Sequence, residues 1–120
     1  TPQGLSLLDD ATAVAQHATL QLLAGADIAA AATTDLGAAT GRVISITGSG
    51  GPITSLGDTS AGAIRKTRTT GTPTFTHNAS TLILPGNANI VAAVGDCQEW
   101  ISLGSSAWYC SNYQRQATAP

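Results

Sequence analysis

Charge is what this chain most conspicuously lacks. Lys, Arg, Asp and Glu make up 10% of its 120 residues, against about 25% in an average soluble domain. Five basic and seven acidic side chains leave a net charge of −2, and the one basic cluster is Arg65, Lys66 and Arg68. The broad basic face that nucleic-acid binding needs is therefore missing. Aromatic residues are 4% of the chain, too few for a platform on which single-stranded bases stack. No apolar run reaches the ~18 residues of a membrane-spanning helix, so membrane insertion is not expected. No basic stretch followed by an apolar core reads as a secretion signal. Methionine is absent and the chain opens Thr-Pro. Removal of an initiator Met before a small residue would account for that, and an intact short gene product is the expectation.

The residues of catalysis are equally sparse. His17 and His77 stand far apart with no motif around either, and His77, before Asn78 at a strand end, is expected to hydrogen-bond turn backbone. No Gly-x-Ser-x-Gly elbow occurs. Asp96 and Glu99 are the only closely spaced acids of the β region, and three positions apart on a strand they project to opposite faces. That spacing is unsuited to a glycosidase pair. Gly48-Ser49-Gly50-Gly51 lacks the Lys-Ser/Thr ending of a P-loop and precedes Pro52 and a strand, so it reads as a turn. Asn78-Ala79-Ser80 matches a glycosylation acceptor, a triplet common by chance. Two cysteines without a second Cys/His pair do not make a zinc site. The chain is read as non-enzymatic and without a cofactor.

What is present is a succession of short alternating runs between turn residues, the pattern of a compact all-β domain. Val43, Ile44 and Ile46 mark a strand ending at the Gly48–Pro52 turn. Ile53–Leu56, Ala63–Thr70, Thr72–His77, Thr81–Leu84 and Ile90–Val94 follow, with Pro73 suggesting an edge or a strand start. Cys97–Leu103 and Trp108–Gln114 form a last hairpin. About eight residues between turns is the spacing of a sandwich or barrel. One domain is all that this length supports, and a surface so poor in charge suits burial between identical subunits.

The hairpin holds the candidate sites. With Ser105 and Ser106 as its loop, Leu103 faces Trp108, Ile101 faces Cys110 and Cys97 faces Gln114. Both thiols then share a face but sit about two pairs out of register, too far apart for a bridge. They are either buried free cysteines or, for Cys97 near the strand start, bonded to a neighbouring subunit in an oxidising environment. Trp108, Tyr109 and Tyr113 could stack on sugars, or a tryptophan fills the core while the tyrosines cover a subunit boundary. Arg65 should point to one face and Lys66 with Arg68 to the other, as a solvated edge or as partners for a neighbour's acids.

Residues 1–41 differ from 42–120, being rich in Ala, Leu and Thr and carrying Asp9, Asp10, Asp27 and Asp35. Ser6–Leu23 fits a helix capped by Ser6 and stopped by Gly25, or extended runs, with extended structure slightly preferred because the neighbouring segments are β. Ala29–Ala32 permits close approach of another backbone, or is a plain connector.

Ile53-Thr54-Ser55-Leu56-Gly57, Ala61-Gly62-Ala63-Ile64-Arg65, Thr76-His77-Asn78, Leu82-Ile83-Leu84-Pro85-Gly86, Gly95-Asp96 and the closing Trp108 and Tyr113 carry a resemblance. Over roughly Gly37 to Arg115 the chain resembles a β module at the surface of tailed-phage and prophage particles, in tail fibres, tailspike ends and small head proteins. The resemblance implies a β-sandwich or jelly-roll-like barrel with an extended N-terminal arm, assembled as a homotrimer. It implies a structural role on the virion surface, after assembly in the bacterial cytoplasm. A chain this small lacks room for a fibre shaft, which favours a capsid decoration protein that contacts the major capsid protein. Cys97 or Cys110 would lock subunits, and Asn78 would hold a costly backbone angle. The alternative is a tail-fibre or adhesin tip that binds a host glycan. Fold-level likeness of this kind does not by itself fix function.

Overall fold

The computed structural model describes residues 23–116. Eight strands run in chain order: β1 (Ile28–Ala29), β2 (Val43–Thr47), β3 (Ile64–Thr69), β4 (Thr74–Phe75), β5 (Leu82–Ile83), β6 (Ile90–Val91), β7 (Cys97–Gly104) and β8 (Ala107–Gln114). Two single 3₁₀ turns, Leu36–Ala38 and Pro85–Asn87, are the only helical pieces among the described residues. The all-β expectation holds. Six strands form one mixed sheet in the order β1-β2-β3-β7-β8-β5, curled into half a barrel. A two-stranded ribbon, β4-β6, lies beside it.

Burial alternates along the long strands and so defines the faces. In β7, Gln98, Trp100 and Ser102 are buried, and in β2 Ile44 and Ile46. The inner face closes over Trp100, Trp108, Phe75, Leu36, Ile53, Leu56, Leu82 and Leu84, all at most 2% exposed. Phe75 on the ribbon meets Trp100 with ring centroids 5.1 Å apart, a tilted contact of the kind aromatic pairs favour. The ribbon thus covers the core from the side opposite the sheet.

β3 looks too polar for a central strand: Ile-Arg-Lys-Thr-Arg-Thr. Its inward positions are satisfied by hydrogen bonds instead of apolar packing. Trp100 Nε1 donates to Thr67 Oγ1 at 2.9 Å, and Thr67 Oγ1 donates to Gln98 Oε1 at 2.6 Å. Thr69 Oγ1 donates to the Ala93 carbonyl at 2.8 Å. Buried hydroxyls are tolerated when bonded in this way.

The hairpin loop is the expected Ser105-Ser106, with φ of 52° and 65°. Positive φ at both central residues is the type I′ geometry that matches strand twist. The expected pairs of Leu103 with Trp108 and Ile101 with Cys110 are not formed. Register shifts leave Leu103 and Ser111 as extra residues, so that Ser102 faces Trp108 and Trp100 faces Cys110. The two bulges turn both tryptophans into the core, a packing requirement that simple alternation misses. They also place the thiols on opposite faces, contrary to expectation: Cys97 is exposed and Cys110 is buried.

Elsewhere the expected strands are trimmed. Ile53–Leu56 is no continuous strand, but makes single bridges, Ile53 to Phe75 and Ser55 to Thr33. Positive φ falls on Asn87, not Asn78. Asn78 instead accepts the Ser80 and Thr81 N–H groups through Oδ1 at 2.8 and 3.1 Å. Of residues 1–41, Leu23–Gly41 runs along the sheet. Ile28 and Ala29 pair in parallel with Ile46 and Thr47, while Leu36 and Ala39 enter the core. Close approach is visible at Ala30, whose carbonyl occupies the place of a Cβ on Gly50. Ser6–Leu22 lies outside the described residues, and so does His17.

Candidate functional site: the outer sheet face

The strand register lays the outward side chains of the sheet in three rows. Ile64, Ile101, Tyr109 and Ile83 are successive partners across β3, β7, β8 and β5, and all four are half-buried. Val43, Lys66, Glu99 and Asn112 form the next row. Ser45, Arg68, Cys97 and Gln114 form the third. The last two rows, Ser45 apart, line a surface depression of about 340 Å³.

Alternation thus places Arg65 inward and Lys66 and Arg68 outward, as the sequence implies. Arg65 donates from Nε to the Leu36 carbonyl at 3.1 Å and from an Nη to the Ile64 carbonyl at 3.0 Å. Burial, and then the nearby Arg42 charge, lower its pKa. Lys66 meets Glu99 of its own chain at 3.6 Å across the strands, a partly solvated pair worth well under 1 kcal/mol. Arg68 forms no ion pair among the described residues. It therefore remains the available cation of the cluster, next to the Cys97 thiol.

The two cysteines differ in chemistry as well as place. Burial pushes the Cys110 thiol up to about 11, which keeps it protonated and unreactive. Cys97 is exposed on the outer face, with Sγ directed at the Gly95 carbonyl at 3.6 Å. Only Cys97 can reach a second molecule without unfolding.

Trp108, Tyr109 and Tyr113 do not make a common stacking face. Trp108 is fully buried and donates from Nε1 to the Gly57 carbonyl at 2.8 Å, so it has no surface to offer a sugar or a subunit. Tyr113 turns inward, edge-on to Phe75 at 6.5 Å. Tyr109 alone stays on the outer face, in the apolar row.

Asp96 is the residue that sequence reasoning undervalued. Its carboxylate is fully buried and accepts four hydrogen bonds. Oδ2 receives Ala93 N at 3.0 Å, Tyr113 OH at 2.7 Å and an Arg115 Nη at 2.8 Å, while Oδ1 receives Gln116 N at 3.0 Å. Burial alone would raise its pKa, but the two backbone N–H groups, the Tyr113 hydroxyl and Arg115 outweigh burial and hold it below the usual range. Burial and the Asp96 charge push the Tyr113 phenol up. Arg115 is about half exposed, so the network sits under a thin cover and staples the end of β8 to the turn before β7. A Gly-Asp turn and an arginine nineteen positions later give no local signal of this.

His77 serves the turn backbone as expected, its Nδ1 accepting Leu84 N at 3.1 Å. Among the described residues, no three His, Cys, Asp or Glu side chains converge as a metal site. No helix among them is long and apolar enough to cross a membrane. No protein-family model, curated protein or solved structure matches the chain.

Proposed function

We propose that this chain is a non-enzymatic structural component of a tailed-phage particle, a small surface protein that assembles through its outer sheet face. The observation that carries the assembly reading is the row Ile64, Ile101, Tyr109 and Ile83, four apolar side chains in register on the face turned away from the core. One solvated face of a sheet ordinarily alternates to polar residues. An apolar row bordered on one side by polar rows suits an interface core with a polar rim. The chain's low charge points the same way, and the virion setting rests on the sequence resemblance.

In this reading three copies, each a β-sandwich or jelly-roll-like domain, pack around the apolar row. An arm that reaches a neighbour or the shell is limited to the chain before Leu23, because Ile28 and Ala29 pair with β2 and Leu36 and Ala39 enter the core. Arg68 is the cation available to a neighbour's carboxylate. Cys97 is the thiol that could lock copies together in an oxidising environment, and buried Cys110 is not. Apolar area buried between subunits, at ~25 cal/mol per Å², would brace the shell formed by the major capsid protein. The test is quantitative mass spectrometry of purified particles from cells that carry the gene. A fixed copy ratio to the major capsid protein is expected; absence from particles would overturn the virion assignment. The adhesin-tip reading loses its proposed platform because Trp108 is buried.

A further inference from the structure

We propose that the groove between the Gly48–Pro52 turn and the Thr72–Thr76 segment is a binding site for a neutral, polyhydroxylated ligand, a short stretch of uncharged glycan. The groove measures about 550 Å³ and is lined by Ser49, Gly50, Gly51, Pro52, Thr72, Thr74, Thr76 and Asn89. That volume lies within the roughly 300–1,000 Å³ of small-molecule sites. The site is separate from the outer-face rows and does not depend on assembly.

Three features specify the ligand. The first is the absence of charge among the described residues that line it: they include no Lys, Arg, Asp, Glu or His. Phosphates, carboxylates and metal ions would find no counter-charge there, so the recognised group is neutral.

The second is a row of hydroxyls with spare capacity. Extended backbone sends Thr72, Thr74 and Thr76 to one side and Pro73 and Phe75 into the interior, and the burial pattern agrees. Thr72 is engaged, its N–H donating to Ser49 Oγ at 2.9 Å and its hydroxyl sharing a 3.1 Å bond with the same atom. The Thr74 and Thr76 side chains are half-buried and have no hydrogen-bond partner among the described residues. Each therefore offers a donor and acceptors toward the groove.

The third is a fixed amide. Residue 89 lies opposite Thr76 in the continuation of the β4-β6 pairing, and Asn89 Oδ1 accepts the His77 N–H at 2.9 Å. That bond orients the side chain and leaves its NH₂ as a donor. Hydroxyls that both donate and accept, beside an oriented amide donor, match the vicinal hydroxyls of a sugar. The Thr methyl groups and the Pro52 ring supply apolar contact for the ring face. With no aromatic platform, the affinity should be on the order of millimolar.

The test is a ¹H–¹⁵N NMR titration of the full chain with maltotriose, cellotriose, tri-N-acetylchitotriose and, as the charged comparison, sialyllactose. Saturable shifts confined to Ser49–Thr54, Thr72–Thr76 and Asn89 are expected with at least one neutral sugar, unchanged between low and high salt. The Thr74→Val, Thr76→Val double variant keeps the shape and removes the hydroxyls; it should bind about tenfold more weakly or worse. Asn89→Asp keeps the oxygen that holds His77 N and removes the amide donor, and should weaken binding similarly. It also serves as the test if the double variant does not fold. Absence of saturable shifts with all three neutral sugars up to tens of millimolar, tighter binding of sialyllactose alone, or undiminished binding by the folded variants would overturn the proposal.

Discussion

The β7–β8 hairpin and the Thr70–Val94 excursion are built on different principles. The hairpin has two eight-residue strands, a two-residue loop and both tryptophans of the chain, turned inward. The excursion has three two-residue strands, and side chains bonded to backbone hold much of it in place. Asn78 Oδ1 accepts two turn N–H groups, His77 Nδ1 takes Leu84 N, and Asn89 Oδ1 takes His77 N. The hairpin gives both tryptophans to the core; the excursion gives Phe75, Leu82 and Leu84 to it and turns a polar, hydroxyl-bearing surface outward. Stability should therefore be sensitive at the hairpin's tryptophans and tolerant at the excursion's outward threonines, whereas ligand recognition should follow the reverse order.

The largest effect is expected at Trp100, which packs on Phe75 and bonds Thr67. Trp100→Ala should cost about 3–5 kcal/mol in urea unfolding, with the Thr67–Gln98 pair losing a partner as well. Asp96→Asn comes next, at about 2–3 kcal/mol, because four donors converge on its buried carboxylate. The sign of its pH dependence follows from the lowered folded pKa. The contribution is complete above the unfolded carboxylate value of about 4 and is lost as pH falls through the lower folded value. Acid titration of stability should be steeper in the parent than in the variant. Tyr113 has a raised folded pKa, so its contribution is complete below the unfolded phenol value of about 10 and is lost as pH rises through the folded one.

A smaller change, of opposite sign, is expected at the loop. Ser106 sits at φ 65°, where a side chain is disfavoured, and Ser106→Gly should raise stability by about 0.5–1 kcal/mol. The smallest effect belongs to the excursion: Thr74→Val with Thr76→Val should shift unfolding by no more than about 0.5 kcal/mol. A cost comparable to that of Asp96→Asn would dissolve the contrast between the two regions.

The same contrast explains what could be read from the residues alone. Cys97–Gln114 was legible as a hairpin because alternation runs far enough to set two strands around Ser105-Ser106. Its bulges at Leu103 and Ser111 were not, since they answer to where both tryptophans must point. β1 escaped notice because Ile28-Ala29 is too short for a period, and its strand character comes from the neighbouring β2. The Asp96 anchor joins residues seventeen to twenty apart through geometry that no spacing encodes. The apolar outer row was hidden for a related reason. Ile64, Ile83, Ile101 and Tyr109 become neighbours only once strand order and register are known. The alternation of Arg65 against Lys66 and Arg68 was local, and it was readable.

The assembly account is tested most directly by the mass of the protein in solution, measured by light scattering for the parent and for Ile101→Lys. The account predicts a stable species of three times the 12.0 kDa chain mass for the parent. The substitution, placed in the middle of the apolar row, should yield a folded monomer with an unchanged far-ultraviolet spectrum. A parent that stays monomeric at every concentration, or a variant that assembles as the parent does, would contradict it.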